Sequence, residues 1–190
     1  LSMIIIKYIF KVNFNKENED IAAESQNMEH SATPLSLEVL NPAIFGKSIV
    51  QITSLLGHRH FVVSRYYNSS TEEFGIAEPR TVLNEHDRIF VIIDSTDVET
   101  VTTFIGKQIQ MERTQWVRSN SKFINRRILI TKPEINGKRL GELQLRKLYG
   151  INVTRVNRSG LDLVAAPGLI LQIGDRVNVV GTESTIASVE

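Results

Sequence analysis

Three clusters in this sequence have residue types and spacing that could do chemistry. His58 and His60 stand two apart, so an extended backbone would put both rings on one face, as a metal pair requires. No third ligand stands nearby and the chain has no cysteine, so satisfied or solvated histidines are the favoured reading. Gly46-Lys47-Ser48 has the second half of a Walker-type phosphate loop, but position 41 is Asn41 rather than glycine. Without that glycine the loop lacks its upstream half, and nucleotide hydrolysis is not expected. The acidic pair Glu72-Glu73 supports metal sensing only weakly. No Ser-His-Asp or thiol system is visible, so no catalytic residue, resident cofactor or metal site is expected, and the chain is read as a non-enzyme.

Any binding residues must therefore be positioned by an ordinary globular scaffold. With 42% hydrophobic and 23% charged residues, disorder throughout is excluded. The absence of cysteine suits a reducing compartment. A net charge of +1 argues against a dedicated nucleic-acid binder. The total hides an asymmetry, because residues 122–190 carry eleven basic groups against six acidic ones. That half suits an anionic ligand, or else presents a solvated basic face.

Both ends leave questions that the residues alone keep open. The apolar run Leu1 to Phe10, broken by Lys7 and followed by Lys11 and Lys16, is too short to cross a bilayer. It reads either as an edge strand or helix, or as the cytoplasmic end of a membrane helix. Thr182 to Glu190 opens like a helix and stops, so the natural chain is expected to continue.

The organising feature is an internal repeat. Pro79, Leu83, Asp87, Arg88, Ile89, Val91 and Ile92 recur 88 residues later as Pro167, Leu171, Asp175, Arg176, Val177, Val179 and Val180. Gly46-Lys47-Ser48-Ile49 matches Gly137-Lys138-Arg139-Leu140, and Val63-Ser64-Arg65 matches Val153-Thr154-Arg155. Each copy predicts an apolar strand, a Gly-Lys turn, an amphipathic helix and three short strands. In the second copy the strands are expected at Ile128 to Thr131, Val153 to Val156, Leu161 to Val164 and Arg176 to Val180. Its helix would carry Leu140, Leu143 and Leu148 on one side, with Gly150 as its left-handed cap. Ser159-Gly160 signals a hairpin. In the first copy the elements are expected at Leu35 to Leu40, a helix near Ser48 to Leu56, Phe61 to Tyr66, a strand around Ile76, and Arg88 to Ile93. A further amphipathic helix would carry Val98, Val101, Ile105 and Ile109. Trp116, the only tryptophan, reads as a plug between the units rather than a ligand platform.

These residues resemble the TrkA-C module, the C-terminal domain of regulators of potassium conductance. Gly137, Lys138, Leu143, Arg146, Lys147, Tyr149, Gly150, Arg158, Gly160, Pro167, Gly174 and Asp175 satisfy its pattern. The first copy departs from it at Leu56-Gly57, Asn68-Ser69-Ser70 and His86-Asp87. The resemblance implies an α+β fold of two tandem small β-α-β-β-β domains, each a small sheet packed with one or two helices. Its boundaries would be a membrane-proximal segment and linker over 1–33, domains over 34–110 and 125–190, the second with a shortened C-terminal helix, and a connector over 111–124. Two such modules in tandem resemble the cytosolic insert of aspartate:alanine exchanger-type transporters, with cation:proton antiporters as a second home. The resemblance further implies a ligand-sensing, dimerising region on the cytoplasmic face of the cell membrane. Its partners would be the transmembrane part of the same transporter and a second copy. The alternative is a purely structural assembly domain. In some relatives the paired modules enclose cyclic di-adenosine monophosphate. By position the resemblance implies a site of Arg146, Asn152, Val153 and Pro167 for that ligand or another nucleotide.

Overall fold

The computed structural model describes residues 31–57, 59–111, 113–116 and 123–189. The strands are β1 (Ala32–Val39), β2 (Lys47–Ser48), β3 (Phe61–Asn68), β4 (Glu73–Ile76), β5 (Val82–Leu83), β6 (Arg88–Asp94), β7 (Gly106–Ile109), β8 (Phe123–Leu129), β9 (Asn152–Arg158), β10 (Leu161–Val164) and β11 (Arg176–Thr182). The helices are α1 (Ile49–Leu56), α2 (Val98–Ile105), α3 (Arg113–Trp116), α4 (Leu145–Tyr149) and α5 (Glu183–Ala187). Among the described residues, no helix is long and apolar enough to cross a membrane.

The repeat is written into the topology. One antiparallel sheet runs β4-β3-β6-β1-β7 and the other β10-β9-β11-β8, so the four shared positions follow one order. Even the irregularities match, since the register slips beside Ser64 on β3 and beside Thr154 on β9, residues that the repeat aligns. A bulge adds one unpaired residue and twists its strand. Here it turns β3 and β9 alike.

Each sheet has its own core because its strands alternate. On β6, Ile89, Val91 and Ile93 point into a cluster with Leu37, Ile52, Val101 and Ile105. The intervening Ile92, with Phe90 packed beside it, faces away and meets Ala32 and Val164 in a small cluster. Because Val164 lies on β10, that cluster belongs to the seam between the two units. Trp116 fills the same seam: it is 3% exposed, its Nε1 donates to Ser36 Oγ at 3.0 Å, and its ring meets Phe74 edge-on.

The Gly-Lys turns have a common structural job. Gly46, Ile49 and Val50 donate their backbone N–H groups to Leu83, Thr81 and Pro79 carbonyls, and Gly137, Leu140 and Gly141 donate to Leu171, Leu169 and Pro167. Donors committed in this way do not cradle a phosphate. Ser48 meanwhile caps α1 through a reciprocal capping box with Gln51.

Three elements differ from expectation. The helix over Leu140 to Leu148 is broken into a 3-10 turn, Leu140–Leu143, and α4, with left-handed Gln144 between them. Leu148 is consequently 63% exposed instead of core-facing. The first unit's last helix stops at Ile105, and Ile109 lies on β7, which pairs with β1. The strand expected at Ile128 to Thr131 begins earlier, at Phe123, because β8 follows β11 along its whole length.

Glu38 on β1 ties the edge of the first sheet together, accepting from His86 Nδ1 at 2.8 Å and lying 3.2 Å from Lys107 Nζ. The His86 hydrogen bond, helped by Lys107 and opposed by desolvation, holds its carboxyl below the usual carboxylate range. A depressed carboxylate contributes stability above its unfolded pKa, and that contribution is lost as pH falls through the folded value. Glu38→Gln is therefore expected to flatten the acid limb of the stability profile between those two values. Urea midpoints measured from neutral to acid pH would check this; parallel acid limbs would refute it.

Candidate functional site

The sequence-derived residues come together at the seam. A groove of about 620 Å³ runs between the units and is lined by Arg146, Asn152, Val153 and Pro167 together with residues of the first unit. One wall consists of α4 and the start of β9; the other is α1 and the start of β3. The turn of β9 out of α4 depends on Gly150, whose φ of 64° suits glycine, and whose N–H donates to the Arg146 carbonyl at 3.1 Å. That left-handed cap ends the helix one turn after Arg146 and sends Asn152 into the seam.

Asn152 is 2% exposed and fully engaged. Its Nδ2 donates to the carbonyls of Val63 and Ser64 on β3 at 3.3 and 3.4 Å. Its Oδ1 accepts a short hydrogen bond from Arg146 Nη2. One side chain thus joins the two units and holds the guanidinium of groove-lining Arg146. Burial pulls the Arg146 pKa down, with Glu78 pulling it back, and an arginine so placed remains a cation at neutral pH. Lys147 adds a second, exposed cation. Val153 is buried, whereas Pro167 is exposed at the rim.

The first unit's share of the groove had no chemical signal of its own in the sequence. Val50, Thr53, Phe61, Val62 and Pro79 form that wall. The repeat could have found them, since Val62 aligns with Asn152 and Pro79 with Pro167.

A second cavity of about 710 Å³ borders the same seam, with Ser64, Thr154, Arg65 and Arg155 in its wall. Its cations are engaged in structural contacts: Arg65 Nη1 donates to the Trp116 carbonyl, and Arg155 Nε lies 3.3 Å from Asp162.

The histidine pair cannot be described as a pair, because His58 lies outside the described residues. His60 is held through its backbone N–H, which donates to Asp97 Oδ2 at 2.8 Å. Among the described residues no three histidine or carboxylate groups cluster as metal ligands, the Glu72-Glu73 pair included.

Residues 126–190 match the TrkA-C domain. An uncharacterized transporter of Bacteroides thetaiotaomicron is 44% identical over 188 residues, which are 99% of this chain and 33% of the relative. One from Porphyromonas gingivalis is 31% identical over 193 residues, 100% of this chain and 33% of that protein. The chain therefore spans about a third of the length of the curated relatives it matches. Among solved structures, the RCK C domain of the potassium transport protein KtrA in complex with cyclic diadenosine monophosphate is 23% identical, covering 36% of this chain and 80% of that one with a TM-score of 0.34. The GsuK RCK domain is 12% identical, covering 85% of this chain and 63% of that one with a TM-score of 0.37. The Gly137-Lys138 turn, the Gly150 cap, the Arg158 hairpin and the buried Asp175 thus sit in the stretch, residues 126–190, that matches the TrkA-C domain.

Proposed function

We propose that this chain is the cytoplasmic, ligand-sensing and dimerising regulatory region of a membrane transporter, of the amino-acid exchanger or cation antiporter kind. The observation that supports this reading is the convergence of Arg146, Asn152, Val153 and Pro167 on one groove between two repeated units. A ligand regulates only if it binds one arrangement of its host better than another. A groove walled by both units meets that condition, because whatever fills it interacts with their relative placement. The cationic end at Arg146 suits an anionic ligand held through charge-assisted hydrogen bonds. Nucleotides are the ligand class, with cyclic di-adenosine monophosphate the first to try.

One observation favours the second reading, a purely structural assembly domain. Asn152 spends its amide on Val63 and Ser64 and its oxygen on Arg146, so the seam is polar and self-satisfied without a ligand. Isothermal titration with cyclic di-adenosine monophosphate decides between them. Saturable binding that weakens about a hundredfold in Arg146→Ala, as loss of a charged phosphate contact would produce, supports sensing. A well-folded chain that binds no nucleotide leaves assembly as the function.

A further inference from the structure

We infer that the groove takes a ligand with a single anionic group, a nucleoside monophosphate in class, held from one side by the second unit. This inference rests on the ligand-sensing reading. Arg146 stands four residues before its capping glycine, Gly150, and Thr53 stands four before Gly57. Asn152 and Val62 each precede the aligned valines Val153 and Val63. Two identical units would offer an arginine to each half of a two-fold ligand. This chain offers one.

Among its described residues, the wall opposite Arg146 also lacks a spare donor. Thr53 Oγ1 donates to the Ile49 carbonyl at 2.8 Å and Ser54 Oγ to the Val50 carbonyl at 2.9 Å, so both hydroxyl protons are committed within α1. The first N–H groups of that helix are committed to Thr81 and Pro79. Val62 and Phe61 contribute apolar surface. A second phosphate placed there would lose its hydration with no cation or N–H to replace it. Among the described residues lining the groove, charge is confined to Arg146 and Lys147. A volume of about 620 Å³ lies within the ordinary range for small-molecule sites and admits one nucleotide or two. Charge, not size, therefore selects the class. The apolar wall is left for the base and sugar of the same molecule.

The test is titration calorimetry of the chain with AMP, cyclic di-adenosine monophosphate and adenosine. AMP should bind at least as tightly as the cyclic dinucleotide, and adenosine about tenfold more weakly or worse for want of the charged contact. Thr53→Arg restores the absent cation at a half-buried helix position, where arginine is a good helix former. It should improve the cyclic dinucleotide by about tenfold or more while leaving AMP within about threefold. Cyclic dinucleotide binding about tenfold tighter than AMP to the unaltered chain would overturn the one-anion reading and leave sensing intact. Failure of all three compounds to bind the unaltered chain would overturn sensing and the one-anion reading with it.

Discussion

Arg158→Ala is expected to cost the second unit about 3 kcal/mol, the low end for breaking a buried ion pair because part of the guanidinium reaches water. Arg158 Nε and Nη2 donate to the two carboxylate oxygens of Asp175, each at 2.8 Å, and Nη2 also donates to the Ile170 carbonyl at 2.7 Å. Asp175 is 1% exposed, so without the fork its carboxylate stays buried against the Gln172 N–H, which donates to it at 2.9 Å. The hydrogen bond to Asp175 also raises the Arg158 pKa against the opposing desolvation. Arg158→Lys keeps a charge but not two parallel donors, and should recover less than half of the loss. Urea unfolding, with hydrogen exchange read at β8 and β11, would measure both. An unchanged midpoint in Arg158→Ala would mean that the turn, not the cation, holds Asp175.

The first unit shows why this pair is a solution and not a requirement of the fold. Asp87 occupies the aligned position and is 0% exposed, yet its partners are neutral. Ser69 N and Oγ donate to Oδ1 at 2.9 and 3.2 Å, and Asn84 N donates to Oδ2 at 2.8 Å. Asn84 and Gln172 make the same bond three residues before their aspartates. What the Arg-x-Gly hairpin does with a guanidinium, Asn68-Ser69-Ser70 does with a hydroxyl and an amide. The buried aspartate pins the turn into the central strand of each sheet.

Such local chemistry was legible in the residues. The Ser159-Gly160 hairpin forms with φ of 50° and 92°, as a primed turn demands, and the Gly150 cap forms where its glycine stands. The broken helix was not legible. The Gly141 N–H donates to the Pro167 carbonyl at 2.9 Å just as Val50 donates to Pro79 at the head of the unbroken α1, so that bond does not distinguish the copies, and the interruption itself lies at left-handed Gln144, with φ of 46°. The overlong helix through Ile109 was a misreading of a visible signal. Gly106 packs against the Glu38 carbonyl so closely that a Cβ there would also fall 2.7 Å from the Leu40 nitrogen, and the chain leaves the helix at that contact. The groove was half legible. Its cationic wall was visible in Arg146 and Asn152, whereas the described residues of its other wall carry no charge, and only packing of one copy on the other brings Thr53 and Val62 to the groove.

Asn152→Ala is expected to loosen the seam by about 2 kcal/mol, since it removes a buried donor from two backbone carbonyls and leaves Arg146 without its acceptor. Its side chain reaches from β9 to the backbone of β3, so its loss should act on the relation between units more than on either core. Hydrogen exchange should therefore accelerate at Val63 and Val153 while the amides of Leu37 and Val177, deep in separate cores, stay protected. Asn152→Asp separates the two roles of the side chain. A carboxylate there still accepts from Arg146 but cannot donate to Val63 and Ser64, and it sets a negative charge against their carbonyl oxygens. If orientation of Arg146 is the main role, the Asn152→Asp variant binds ligand while its seam stays loose. If the seam itself is what the ligand reads, neither variant binds. Equal exchange rates in all three proteins would show that apolar contacts such as Ile92 against Val164 hold the units together without Asn152.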